Sequence, residues 1–120
     1  MTDETTSTVA AGRSAPGSGE AATELGQRIV LENDRVRVWE LTLEPGADTG
    51  MHRHDLDYLL VILEGDRVAG DGHPTSENFS GRRESAVTPG GVYYVPRGGV
   101  ENAVNTGAQR YREIIIELKD

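Results

Sequence analysis

The sequence predicts an all-β domain, a sandwich or small barrel of the jelly-roll kind, on three observations. From Arg28 onward the chain runs in short β-type segments, turn residues separate them at close intervals, and no segment carries a helical period bounded by caps. Fifteen glycines punctuate the 120 residues, as many short strands joined by tight turns require.

The elements follow in chain order. Residues 1–24 are rich in Thr, Ser, Ala and Gly, with Met1 and Val9 their only large apolar side chains. Such a stretch buries too little surface to offset the entropy of ordering it, so a flexible tail is expected ahead of one domain over 25–120, with a short helix over 20–25 possible. Arg28–Glu32 and Arg35–Leu43 read as strands around Asn33-Asp34, and the second alternates Arg35, Arg37, Trp39, Leu41 and Leu43 against Val36, Val38, Glu40 and Thr42. Glu44-Pro45-Gly46-Ala47-Asp48 is a turn, because proline presets φ and glycine supplies the permissive position. Asp57–Leu63 is an apolar strand ending at Glu64-Gly65-Asp66. Further strands are expected over Arg67–Ala69, Asn78–Ser80, Glu84–Val87, Val92–Val95, Glu101–Asn105 and Arg110–Leu118. In the last, Arg110, Arg112 and Glu113 are set against an apolar series, Ile114, Ile116 and Leu118, expected to face the core or a dimer interface.

Composition removes several classes of function. The chain has no cysteine, so disulfides, thiolate metal sites and cysteine nucleophiles are excluded, and any metal must be held by histidine, carboxylate, phenolate or water. Twenty acidic residues against twelve Lys and Arg give a formal charge of −8, which disfavours nucleic acid or an anionic membrane as partner. No apolar run approaches the ~20 residues that span a bilayer, and no basic and apolar leader opens the chain, so a cytoplasmic protein is expected.

The most informative segment is Gly46 to Gly65, in which His52 and His54 stand just ahead of the apolar run. Side chains two apart on a strand share a face, so the pair can grip one ion. The segment resembles the first motif of the cupin superfamily: a glycine, five residues, His-x-His, three or four residues, glutamate, six residues and glycine. Gly46, His52, His54 and Gly65 fall at that spacing, with Tyr58 in the place of the glutamate. The second cupin motif is a glycine, five residues, Pro-x-Gly, two residues, histidine, three residues and asparagine. Gly90, Pro96, Gly98 and Asn105 fall at that spacing, with Glu101 in the place of the histidine. The resemblance covers roughly residues 25–118 and implies a single cupin-type jelly-roll β-barrel with an interior pocket.

It also implies that Glu101 faces the same interior as the two histidines. The set His52, His54 and Glu101 would then offer two imidazoles and a carboxylate, the kind of group that holds non-haem Fe(II), with Mn(II), Ni(II) or Zn(II) as alternatives. Tyr58 is open to three readings: a ligand, an acid or hydrogen-bond donor to substrate, or an aromatic that fills the barrel. Asp55 and Asp57 flank the pair and rank below Glu101, while His73 reads as a loop residue. Arg37, on the face of Trp39 and Leu41, would need a partner if buried, and one of Tyr93 and Tyr94 should face inward.

Two functions of different class follow. One is a metal-dependent enzyme, a dioxygenase, lyase or isomerase acting on a small-molecule substrate, with Tyr58 and Glu101 as its catalytic residues. The other is a metal-free cupin that binds a small ligand or moves protons for isomerisation or epimerisation, with His52 or Glu101 as base and Tyr58 as acid. An accessory or sensor domain is a weaker third, since a fold alone does not specify function. The resemblance further implies a homodimer.

Overall fold

A computed structural model of the chain describes residues 26–120, and the tail and short helix expected within 1–25 lie outside them. Among the described residues nine strands follow one another: β1 (Arg28–Glu32), β2 (Val36–Leu43), β3 (Asp48–Arg53), β4 (Tyr58–Glu64), β5 (Arg67–Gly72), β6 (Gly81–Ala86), β7 (Val92–Val95), β8 (Val100–Val104) and β9 (Tyr111–Leu118). They form two antiparallel sheets, a five-stranded one in the order β1-β2-β9-β4-β7 and a four-stranded one in the order β3-β8-β5-β6. This is the all-β jelly roll that the alternating runs predict. Among the described residues, no helix is long and apolar enough to cross a membrane.

The alternation of β2 explains the core. Trp39, Leu41 and Leu43 point inward and are at most 3% exposed, while the residues between them are half-buried on the outer face. Tyr58 and Ile62 from β4 join them, with Tyr111 and Ile115 from β9. Pro45 and Gly46 then reverse the chain in a turn closed by Ala47 N donating to Glu44 O at 2.9 Å, with Gly46 at φ 86°, a conformation that a Cβ would oppose.

Three expectations are corrected. Asn78–Ser80 is not a strand, because the loop finds its hydrogen bonds elsewhere: Glu77 N donates to Gly98 O, and Asn78 Nδ2 to Pro96 O. A strand not expected, β3, forms over Asp48–Arg53 by pairing with β8, which sets His52 opposite Glu101. In β9 the inward set is Tyr111, Glu113, Ile115 and Glu117, all buried, while Ile114, Ile116 and Leu118 stand half-buried on the outer face of the sheet, so of the two places expected for this apolar series the core is excluded. Glu117 is tolerated inside because Trp39 Nε1 donates to it at 2.7 Å and Arg37 reaches it at 3.3 Å, which also supplies the partner that Arg37 needs.

Candidate metal centre

β3 and β8 create the site by register. His52 pairs with Glu101, and the pairing continues past the end of β3, where His54 N donates to Gly99 O and Gly98 N to His54 O, both at 2.9 Å. His52, His54 and Glu101 therefore converge on one point, with a ligand atom of each within 4.8 Å of the others. The carboxylate oxygen Glu101 Oε2 lies 3.7 Å from His52 Nε2 and 3.5 Å from His54 Nε2. Gly70 on β5 makes room, since a Cβ there would lie 2.9 Å from Glu101 Oε1 and 3.1 Å from the Phe79 ring.

The protonation states suit a cation. His52 Nδ1 faces the Gly50 carbonyl at 3.0 Å, so its proton resides there and Nε2 presents a lone pair to the interior. Burial, reinforced by the neighbouring His54, pushes the His52 imidazole down to about 4, which keeps it neutral at physiological pH. Burial alone would raise the Glu101 carboxyl, but the facing His54 and His52 outweigh it and hold the group below the ordinary carboxylate range. Neutral imidazoles and an ionised carboxylate are the forms that bind metal.

His54 gives the clearest test of fit. Its ring is 3% exposed, and neither ring nitrogen has a hydrogen-bond partner among the described residues, the contact to Glu101 being too long to count. A buried polar nitrogen left in this state costs on the order of 1–3 kcal/mol. A divalent ion between the two histidines and Glu101 would satisfy Nε2, so the donor set fits such an ion on its own geometry.

Tyr58 stacks on His54 with ring centroids 4.2 Å apart and planes 16° from parallel. Burial, with Glu101 and Glu113 adding to it, raises the phenol above its usual range, so with no ion beside it Tyr58 stays protonated and is a hydrogen-bond donor. The flanking acids turn away. Asp55 pairs with Arg53, and Asp57 accepts from Tyr94 and Arg97. His73 lies in a loop, bonded to Thr75.

His52, His54 and Glu101 line a cavity of about 440 Å³ together with Leu41, Ile62 and Ile115, so the site faces a mostly apolar chamber. An adjoining lobe of about 400 Å³ adds Glu77 and Asn78. Of the two tyrosines of β7, Tyr93 shares its face with inward-pointing Leu60, and both reach the cavity wall. Sequence reasoning missed three lining residues, Phe79, Arg83 and Glu113. The period-2 spacing of Glu113 between Tyr111 and Ile115 could have found it. Phe79 lies in the loop before β6 and Arg83 within β6, a strand exposed along its whole length, so no apolar alternation marks them.

Comparison with known proteins agrees with the architecture. No family model matches the chain. It is 32% identical over 91 residues to beta-alanine degradation protein BauB of Pseudomonas aeruginosa, a match that spans 76% of this chain and 90% of that protein. Auxin-binding protein T85 of Nicotiana tabacum is 23% identical over 102 residues, and the match takes in 54% of that protein's length. Among solved structures, a cupin domain from Bordetella pertussis Tohama I superposes with a TM-score of 0.68 at 27% identity, over 84% of this chain and 98% of that one. The polyketide cyclase RemF of Streptomyces resistomycificus superposes with a TM-score of 0.58 at 22% identity, over 78% of this chain and 63% of its own, a likeness of fold alone.

Proposed function

The chain belongs to the cupin superfamily, and from that premise we propose that it is a metal-dependent enzyme acting on a small organic molecule, with a divalent ion held by His52, His54 and Glu101. The observation that carries this reading is His54, buried with its ring nitrogens unpartnered and its Nε2 turned toward a carboxylate that a second imidazole also faces. Two imidazoles and one carboxylate match the donor set used for non-haem Fe(II), which makes iron the favoured ion over Mn(II), Ni(II) or Zn(II). Such an ion, when bound, supplies Lewis acidity and coordination positions for exogenous ligands.

The chain's own groups divide the remaining work. Gly50 fixes the tautomer of His52, and a mostly apolar wall packs against whatever occupies the chamber. Tyr58, protonated and packed flat on His54, can donate a hydrogen bond or a proton to a substrate beside the ligand cluster. Dioxygenation, elimination and isomerisation are all compatible with this arrangement. The Pseudomonas relative is named for the degradation of β-alanine, a molecule that a chamber of about 440 Å³ easily admits, which supports a small polar substrate. We also propose that the chain pairs with a second copy of itself through the outer face of the five-stranded sheet.

Metal analysis tests the reading. Protein purified without chelator is expected to carry near-stoichiometric divalent metal, and His54→Ala to lose it while keeping the circular-dichroism spectrum of the parent. Absence of metal as purified, with no uptake of Fe(II), Mn(II), Ni(II) or Zn(II), would overturn it.

A further inference from the structure

We propose that Arg83 is the specificity-determining residue of the cavity and that the substrate class is a small carboxylate, its anionic group seated on the Arg83 guanidinium. Arg83 is the only arginine or lysine lining either lobe of the cavity among the described residues, and both lobes share it with His54, Tyr58, Phe79 and Glu101. Its strand neighbours are matched: Arg82 forms a forked pair with Asp71, and Arg67 pairs with Glu84. Arg83 has no carboxylate partner among the described residues. Its guanidinium instead lies over the Phe79 ring, 4.8 Å from the centroid.

That placement leaves the donor edges open while the face is held. A guanidinium stacked on an aromatic keeps its N–H groups in the plane, where a carboxylate can accept two of them at once. The stack also fixes where the anion sits. The Phe79 ring edge and Glu101 Oε1 both crowd the space that a Cβ on Gly70 would take, and the register partner of Gly70 on β6 is Arg83 itself. Guanidinium and ligand cluster therefore flank one short stretch of wall, so a molecule of few carbons can touch both. The other charged groups on the lining, Glu77 and Glu101, are acids, so an anion is drawn to Arg83 and repelled from them.

This names the substrate class for the site proposed above and rests on that reading for the reaction, but its binding step needs no metal. Binding of acetate, propionate, butyrate and propanamide is measured by calorimetry on metal-free and on Zn(II)-loaded protein, for the parent, Arg83→Gln and Arg83→Lys. At least one acid is expected to bind the parent in both states, with propanamide about tenfold or more weaker than propionate, in line with the loss of a charge-assisted hydrogen bond. Arg83→Gln should weaken acid binding by about the same factor, Arg83→Lys should restore part of it, and the metal content of both variants should equal that of the parent. Equal acid binding by the parent and Arg83→Gln, equal binding of acid and amide, or no binding of any of the acids overturns the proposal. Arg83-dependent binding in a protein that takes up no metal would retain it and reject the metal-dependent reading instead.

Discussion

At the scale of single residues, the interior holds two carboxyl groups in opposite states. Burial acts to raise the Glu101 carboxyl, but His54 and His52 outweigh it and hold the group below the ordinary carboxylate range. Glu113, buried and bonded only to the Tyr111 hydroxyl, is pushed up to about 7 by burial, against the pull of that hydrogen bond and with Glu101 adding to the rise. A raised carboxyl makes the folded state hold its proton longer than the unfolded chain does. Stability from this group is therefore full below the ordinary carboxyl value of 4.5, falls as pH rises, and levels off above about 7. The loss across that window is on the order of 3 kcal/mol. Glu113→Gln keeps the shape and an oxygen that accepts from Tyr111, so the metal-free variant should lose most of the decline and exceed the parent in stability on the alkaline side. Urea denaturation of both proteins with chelator, at about pH 5 and about pH 8, checks this, and parallel pH slopes for the two would refute it.

At the scale of elements, Asn105 ties together the ends of four strands. It is wholly buried, its Nδ2 donates to Leu43 O and Gln109 O, both at 2.9 Å, and its Oδ1 accepts from Gly107 N. Its backbone also pairs with Ala47 and Gly46, which locks the turn after β2 to the exit of β8. Asn105→Ala leaves two carbonyls and an N–H unpartnered, and should cost about 2–4 kcal/mol in chemical denaturation; a change under 1 kcal/mol would refute the role. This asparagine closes the second cupin motif, and it shows what was legible. Glycine, proline and asparagine spacings report hairpin ends, so the fold and the position of Glu101 opposite the histidines could be read. Strands with an apolar inner face, as in β2, or apolar on both faces, as in β4 and β7, could be read as well. β3 could not, because its alternation carries no apolar signal and its inward residues include His52, while β6, exposed throughout, was read only in its second half, within Glu84–Val87. The facing of β9 was misread for a related reason. Two of its inward residues are acids, satisfied by Tyr111 and Trp39, contacts that no local pattern reveals.

At the scale of the whole molecule, the residues displaced from the core in that misreading acquire another use. Cross-strand partners share a face, and the register aligns Tyr94, Leu59, Ile116, Val38 and Leu31 in one row across all five strands of the larger sheet. A second row begins Val92, Val61, Ile114 and ends in Glu40 and Arg28, which pair with each other at 2.8 Å. Leu31, Val92 and Tyr94 are more than half exposed. At roughly 4.8 Å between strands, such a row runs about 19 Å, a contiguous apolar strip of the kind that marks an interaction surface. A second copy suits it better than a charged partner does, because the charges at its edge, Arg28, Glu40, Arg112 and Glu64, already neutralise one another within the chain. Two identical faces related by a two-fold axis can then meet without opposing a net charge. Sedimentation equilibrium is expected to give a dimer at micromolar concentration. Ile116→Lys, which puts a charge at the middle of the row, should give a monomer with an unchanged circular-dichroism spectrum. A parent that sediments as a monomer would reject the pairing, and so would a variant that stays dimeric.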